Sequence, residues 1–164
     1  MEIRVRDLDS AALEDIGIVA TLSQGKAPEM GAEFAFEFAA TDLKMPAGLC
    51  AGRLECSSRP MQLLKMERHL KTPELLSAVN GDAVIVVAPP QTPQDERLEG
   101  LRAILVRQGQ AIVLSAGAWH WIPYPLGEKS ALFLVVFRSE TGRDDLDYCE
   151  LAEPGNIVFE GAKK

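Results

Sequence analysis

Hydrophobic and polar residues alternate with a period of two along much of this chain, a pattern typical of β-strands that bury one face. In Glu33–Ala39, three phenylalanines alternate with smaller or charged residues. From residue 60 onward, short apolar or alternating segments follow one another, separated by glycine, proline or asparagine. These segments are Met61–His69, Ala83–Ala88, Arg102–Arg107, Ala111–Leu114 and Leu132–Arg138. Many short strands without long intervening helices predict an all-β sandwich or barrel.

The N-terminal part adds two further strands and a short helix to this prediction. Ile3–Leu8 alternates loosely, as a strand does, and Leu49–Cys56 is another strand candidate. Between them, Asp9 or Ser10 can cap a short helix that ends at Gly17. The pattern therefore predicts a barrel preceded by one short N-terminal helix.

Polar segments rich in glycine and proline mark the connections between strands. Thr21–Gly31 and Pro89–Gly100 are predicted loops. The dipeptide Asn80-Gly81 is typical of a hairpin turn. Asp144, Asp145 and Asp147 form an acidic loop, which is predicted to be a solvated face.

Length and composition indicate one domain with its own hydrophobic core. The chain has 164 residues, of which 47% are hydrophobic, so it can bury a core without disulfides or a structural metal. We expect a single domain over residues 1–164, with its core at about residues 3–152 and a loosely ordered tail over residues 153–164. The net charge of −7 argues against nucleic acid and anionic membrane surfaces as partners.

The sequence also predicts a cytoplasmic location. No apolar stretch approaches the ~20 residues that a membrane helix needs, and the N-terminus lacks the basic and apolar pattern of a signal peptide. The three cysteines, Cys50, Cys56 and Cys149, are odd in number and include no pair at C-x-x-C spacing. Such cysteines are typical of reduced thiols in the cytosol.

The candidate chemistry centres on the two histidines of the chain, His69 and His120. Glu67 and His69 are two residues apart on a predicted strand, so their side chains share a face. Glu74 follows shortly after, and a turn of small residues leads into Trp119-His120. Two strand-turn-strand segments that each offer one imidazole, with carboxylates beside the first, suit a small-molecule or metal site inside a barrel.

The spacing of these residues resembles the two sequence motifs of the cupin superfamily. The first motif is His-x-His, three or four residues, a glutamate, six residues and a glycine. Here it is Glu67-x-His69, four residues, Glu74, six residues and Gly81. Glu67 thus stands where the motif has its first histidine.

The second motif is a glycine, five residues, Pro-x-Gly, two residues, a histidine, three residues and an asparagine. This chain has Gly109, then Ser115-Ala116-Gly117, His120 and Tyr124 at the same intervals, with serine in place of proline and tyrosine in place of asparagine. The resemblance implies a cupin-type double-stranded β-helix, a jelly-roll barrel.

Within that superfamily the chain resembles the ureidoglycolate lyase family over about residues 3–152. The segments that carry the resemblance are Ile3-x-Val5-x-x-Leu8, Glu67-Arg68-His69, Gly81-x-x-Val84-Ile85-Val86-Val87-Ala88, Leu101-Arg102-Ala103, Trp119-His120 and Phe133-Leu134-Val135-Val136-Phe137-Arg138. The resemblance implies a carbon–nitrogen lyase of the amidine-lyase type that splits ureidoglycolate into glyoxylate and urea in purine catabolism. The family often has a second polar residue after the Trp-His pair, where this chain has Trp121.

The resemblance also implies candidate site residues. Glu67, His69, Glu74 and His120 form a possible ligand set for one divalent metal, Ni, Mn, Zn or Fe. The alternative is a metal-free hydrogen-bonded pair of Glu67 and His69, with Glu74 bound to Lys71 at the surface. His120 and Glu67 are the candidate catalytic residues, since imidazole titrates near neutral pH and a carboxylate can take over the proton transfer.

Two more residues are candidates for binding a small anionic metabolite. Lys65 shares the predicted face of Glu67 and could hold a substrate carboxylate, and Tyr124 could donate a hydrogen bond into the cavity. Alternative functions on the same fold are a metal-dependent cupin oxygenase or isomerase, and a non-catalytic cupin that binds a small ligand. Long apolar strands of this kind favour a homodimer.

Overall fold

The computed structural model describes residues 1–20, 29–30, 33, 35–36, 44–94, 99–127 and 130–159. Within them the chain is almost entirely β. The strands are β1 (Glu2–Asp7), β2 (Gly17–Val19), β3 (Glu29–Met30), β4 (Ala35–Phe36), β5 (Leu49–Cys56), β6 (Gln62–Arg68), β7 (Glu74–Asn80), β8 (Ala83–Ala88), β9 (Arg102–Val106), β10 (Ala111–Leu114), β11 (Trp119–His120), β12 (Tyr124–Pro125), β13 (Ala131–Arg138) and β14 (Asp147–Val158). One short helix, α1 (Thr141–Asp144), connects β13 to β14.

Two sheets build the barrel. The larger sheet has the order β11-β6-β14-β1-β9-β8-β12, and β11 also pairs with β8, so this sheet closes on itself. The second sheet has the order β2-β10-β7-β13-β5 and packs against one face of the first. Closure of this kind removes most free strand edges.

Strand β8 explains why the most apolar segment of the sequence shows no alternation. All six of its residues are buried. Val84 and Val86 face the core enclosed by the larger sheet, whereas Ile85 and Val87 face the core between the two sheets. A strand covered on both faces needs apolar side chains at every position. The predicted strand Ala83–Ala88 is confirmed with its bounds unchanged.

The predicted N-terminal helix is instead a series of turns. Asp9 accepts a hydrogen bond from the Ala12 amide, as a helix cap does. However, Asp15 has a φ of 62°, outside the helical range, so the turns end there. The apolar residues of this segment are still buried, with Leu13 and Ile16 fully enclosed.

Two connections also differ from the sequence prediction. Asn80-Gly81 does not close a hairpin, because β7 belongs to the smaller sheet and β8 to the larger one. Gly81 has a φ of 80° and turns the chain from one sheet to the other. The first residues of the predicted loose tail, 153–158, belong instead to strand β14, which pairs with β1 up to Val158. Residues 160–164 lie outside the described residues.

The phenylalanine-rich segment is described only in part. Residues 35–36 form β4, which pairs with β3, while residue 34 and residues 37–39 of the predicted strand lie outside the described residues. No described helix has the length and apolar character needed to cross a membrane.

Candidate functional site

Strand β11 brings the two cupin-like segments together. It lies between β6 and β8, and His120 is directly opposite Glu67 on one side and Val87 on the other. Residues directly opposite on neighbouring strands have side chains on the same face. Since Val87 faces the core between the sheets, His120 and Glu67 point toward the second sheet. Trp119 faces the other way, into the core of the larger sheet.

The second sheet supplies the other carboxylate. Glu74 starts β7 and is only 6% exposed, and His69 follows directly after β6 with the same exposure. One carboxylate oxygen of Glu74, Oε2, lies 3.1 Å from His69 Nε2 and 3.1 Å from His120 Nε2. Glu67 Oε1 is 3.9 Å from His120 Nε2. The four residues predicted as ligands therefore meet in one buried cluster.

Backbone contacts fix the tautomer of both imidazoles. His69 Nδ1 lies 2.9 Å from the Asp145 carbonyl oxygen, and His120 Nδ1 lies 3.0 Å from the Ala118 carbonyl oxygen. A carbonyl oxygen only accepts hydrogen bonds, so each Nδ1 carries a proton and donates it. In the neutral ring each Nε2 therefore carries a lone pair, and both Nε2 atoms lie beside the carboxylates. Metal-binding histidines in proteins are oriented in this way, by a hydrogen bond from the ring nitrogen that does not bind the metal.

Two atoms of the cluster have no hydrogen-bond partner among the described residues: Glu74 Oε2 and His120 Nε2. The two atoms lie 3.1 Å from each other. Buried polar atoms without partners are rare and point to an absent ligand or ion. Two ligands that bind one ion at about 2.1 Å and at right angles are themselves about 3 Å apart. The observed spacing fits that arrangement.

In the metal-free protein the same cluster is an ion pair. Burial alone raises the pKa of the Glu74 carboxyl, but His120 and then His69 outweigh burial and lower it to about 2. Burial alone lowers the pKa of His120, but Glu74 first, then the Ala118 carbonyl and Glu67, raise it above the usual value. Glu74 is therefore ionised at neutral pH, as a metal ligand must be.

A cavity of about 310 Å³ opens over this cluster. All four cluster residues line it, together with mostly apolar side chains of β5, β7, β13 and the β13–β14 connection. Among its described lining residues the cavity has a single strongly basic residue, Arg53. That side chain is two-thirds exposed and bonds Glu55 at 2.8 Å on the outer face. The described wall therefore offers carboxylates and imidazoles but no inward-facing lysine or arginine.

The observed partners differ from the metal-free alternative considered above. Glu74 is buried against the histidines, and Lys71 instead bonds Asp144 at 3.1 Å. Ligand atoms of Glu67, His69 and His120 all lie within 4.8 Å of one another. With Glu74 Oε2 beside both rings, these residues fit one divalent ion with two nitrogen and two oxygen donors.

Asp145 supports the site in a way that the sequence did not indicate. The acidic segment was predicted to be a solvated face, but Asp145 is only 5% exposed. Its two carboxylate oxygens accept hydrogen bonds from the amides of Leu70 and Lys71, at 2.7 and 2.9 Å. Its carbonyl orients His69, so one residue holds both the imidazole and the turn that follows it. No local pattern marks this contact, because 76 positions separate the two residues.

We expect Asp145→Asn to lower the free energy of unfolding by about 1–3 kcal/mol, because an amide cannot accept both hydrogen bonds and leaves a buried donor unpaired. Urea unfolding measures the change. Asp147→Asn is the matched control, since Asp147 bonds Arg68 at 3.2 Å with a side chain 40% exposed, and such pairs contribute about 0–1 kcal/mol. Equal losses in the two variants would contradict the role assigned to Asp145.

The two residues predicted to bind substrate lie in a different place. Lys65 Nζ lies 4.8 Å from the ring centre of Trp121, and the Tyr124 hydroxyl donates to the Gln62 carbonyl at 2.9 Å. Both line an outer groove rather than the cavity. Strict alternation would place Leu63 on the face of Glu67 as well. It lies instead in the core of the larger sheet, beside a register shift between β6 and β14. Substrate binding by Lys65 and Tyr124 stays a prediction.

The sequence is similar to one known protein family. The family model described as ureidoglycolate lyase matches residues 6–158. No individual curated protein matches the sequence significantly.

Among solved structures, CapF with the inhibitor 3-isopropenyl-tropolone is similar, at 14% identity over 76% of this chain and 34% of that chain, with a TM-score of 0.50. Lactobacillus farciminis oxalate decarboxylase in its formate complex shares 21% identity over 56% of this chain and 24% of its own, with a TM-score of 0.42. Bacillus subtilis oxalate decarboxylase at pH 4.6 shares 16% identity over 63% and 24%, with a TM-score of 0.43. This chain thus spans about a quarter of the oxalate decarboxylase chains. The predicted cupin fold is confirmed.

Proposed function

Because this chain belongs to the ureidoglycolate lyase family, we propose that it is a carbon–nitrogen lyase that splits ureidoglycolate into glyoxylate and urea. The observation that carries the proposal is the buried cluster of two imidazoles and two carboxylates at one end of the cavity. Substrate and products are small and polar, and the cavity is of the size that small-molecule sites have.

We propose that His69, His120 and Glu74 hold a divalent metal, with the more exposed Glu67 as the fourth donor. The charge of the cavity supports this proposal. Ureidoglycolate carries a carboxylate, and no lysine or arginine among the described lining residues points inward to neutralise it. Bringing an anion to two glutamates without a compensating cation is costly. A bound divalent ion supplies that positive charge and polarises the substrate oxygens.

Glu67 is the residue we propose for proton transfer. It is the less buried of the two carboxylates, with a side chain 19% exposed, so it can exchange protons with a substrate. The reaction needs a base that takes the proton of the substrate hydroxyl while the carbonyl of glyoxylate forms. The carbon–nitrogen bond breaks, and the nitrogen of the leaving urea takes up a proton. One carboxyl group can accept the first proton and return it to the nitrogen.

His120 takes over the proton transfer where no metal is bound. In that state Glu74 raises the pKa of His120, which favours a proton at Nε2 that the ring can donate. With a metal bound, Nε2 would be a ligand, and His120 would then hold the ion rather than transfer the proton.

The test begins with protein purified without a histidine tag. Elemental analysis is expected to find about one divalent metal per chain, lost on dialysis against a chelator. Incubation with ureidoglycolate is expected to release glyoxylate and urea in equal amounts. Absence of product with each of Mn, Ni, Zn and Fe would show that ureidoglycolate is not the substrate. Iron-dependent oxygen uptake would favour a cupin oxygenase, and carboxylate binding without turnover a ligand-binding protein.

The homodimer and the cytoplasmic location also stay predictions. Size-exclusion chromatography with light scattering measures the first, and fractionation of the source cells measures the second.

A further inference from the structure

The described positions that hold glycine require it for different physical reasons. Six of the ten described glycines have a positive φ, which other residues rarely adopt. Of the other four, Gly17 and Gly155 are crowded, since a Cβ at Gly17 would meet the Val113 carbonyl and one at Gly155 would meet Ile3 Cδ1 at 2.6 Å. Gly52 and Gly142 have neither reason. Nothing lies within 4 Å of a Cβ built on either.

Both of these unexplained glycines line the cavity. Gly52 is in the middle of β5, directly opposite Val135 on β13, and Val135 is opposite Leu76 on β7. Val135 and Leu76 belong to the core and line the same cavity, so the missing side chain of Gly52 would have pointed into it. A glycine weakens a strand, and this one keeps space open.

A buried hydroxyl lies beside the second glycine. Thr141 precedes Gly142 at the start of α1, lines the cavity and is 1% exposed. Its Oγ1 has no hydrogen-bond partner among the described residues. A hydroxyl can both donate and accept, and a buried one is expected to have a partner. This orphaned group is an observation independent of the two glycines, and it points to a polar ligand in the same cavity.

We propose that the space bounded by Gly52, Thr141 and Gly142 is the subsite for the ureido end of the substrate, and that Gly52 limits the size of the group it accepts. This inference rests on the proposed function. The carboxylate and hydroxyl of the substrate lie at the histidine cluster, and the ureido group extends toward β5. Its amide hydrogens and carbonyl are matched by the Thr141 hydroxyl, while the flat face of the group packs on Val135 and Leu76.

Two small ligands distinguish binding at the ureido subsite from binding at the histidine cluster. Hydantoate, N-carbamoylglycine, carries both a carboxylate and a ureido group and lacks the reacting hydroxyl, whereas glyoxylate has only the carboxylate end. Calorimetric titration of the whole protein is expected to show binding of both. Gly52→Val is expected to weaken hydantoate at least about tenfold and glyoxylate less than about twofold, because its side chain fills only the subsite.

Matched variants separate this effect from damage to the fold. Ala51→Val adds bulk to the next residue of β5, opposite Val136 and on the exposed face, and is expected to leave both affinities unchanged. Gly52→Val itself should unfold at no lower temperature than the wild type, since valine favours a strand more than glycine does. Thr141→Val is expected to weaken hydantoate about tenfold, and Thr141→Ser should retain it.

Each outcome decides between the two proposals. A Gly52→Val protein that binds hydantoate normally, or that loses both ligands alike, overturns the subsite, as does a wild type that does not bind hydantoate. If the wild type releases glyoxylate from ureidoglycolate but the ratio of the two affinities does not change in Gly52→Val, only the subsite fails. If the ratio changes but no glyoxylate is released, the subsite stands and the lyase activity fails.

Discussion

Replacement of His120 by alanine is expected to lower kcat/KM for ureidoglycolate by about 10²–10⁴-fold, the range that a positioned acid–base group or its equivalent contributes. The ring is 4% exposed, and its Nε2 is one of the two orphaned atoms of the cluster. Its loss removes a proposed metal ligand and leaves Glu74 without one of its two neighbouring imidazoles. Steady-state release of glyoxylate measures the change, and elemental analysis of the same protein should show the loss of metal.

A general loss of structure must be distinguished from this local effect. The variant should keep a cooperative thermal transition, because the alanine leaves a small void rather than a clash. Added imidazole is expected to restore part of the activity by entering that void. Activity within about threefold of the wild type would remove His120 from the mechanism, since a loss that small is far below the contribution of a catalytic group.

The second large effect is expected in the metal-free protein, where Glu74→Gln removes the centre of the buried ion pair. Glutamine keeps the shape of the side chain but not its charge, so His120 loses the partner that keeps it protonated. A pKa lowered from 4.5 to about 2 corresponds to roughly 3 kcal/mol of stability. Urea unfolding at several pH values measures this loss.

The pH range in which the pairing of Glu74 with His120 stabilises the protein follows from their two pKa shifts. The contribution of Glu74 is fully present above its unfolded pKa of 4.5 and is lost as the pH falls toward about 2. The contribution of His120 is fully present below its unfolded pKa of 6.5 and is lost as the pH rises through its raised folded value. The gap in stability between wild type and Glu74→Gln should therefore be largest between about pH 4.5 and 6.5.

Glu55→Gln is the matched control for this experiment. It removes one carboxylate charge from an exposed side chain that bonds Arg53 and Ser130. Because water screens that site, its unfolding curve should follow the wild type at every pH. A Glu74→Gln protein that behaves in the same way would show that the buried ion pair contributes nothing to stability.

The strands were predictable because burial in a sheet imposes a period of two, or continuous apolar character where both faces are covered. Ala83–Ala88 and Ala111–Leu114 have the bounds that the pattern gave, and Leu49–Cys56 is also a strand over its full length. The meeting of His69 with His120 was predictable from motif spacing, since both motifs describe strands of one barrel.

Other features depend on contacts that leave no local signal. The Asn80-Gly81 turn has the composition of a hairpin, and only the pairing of β7 with β13 and β10 sends the chain to the other sheet. The turns near Asp15 satisfy the same apolar burial that a helix would, so the spacing of apolar residues does not distinguish the two. Asp145 has the sequence environment of a surface loop, and its burial follows from how β14 returns beside β6.

The position of β14 has a consequence for synthesis on the ribosome. This strand lies between β6 and β1 in the sheet, and among the described strands it comes last in the chain. Until Asp147–Val158 has left the exit tunnel, β6 and β1 have no neighbour between them, and the larger sheet stays open with its apolar interior exposed. Assembly of the histidine cluster, which depends on Asp145 just before that strand, is equally delayed. The nascent chain therefore holds its two histidine segments unassembled until Asp147–Val158 has emerged, and chaperone protection of exposed strand edges matters most in that period.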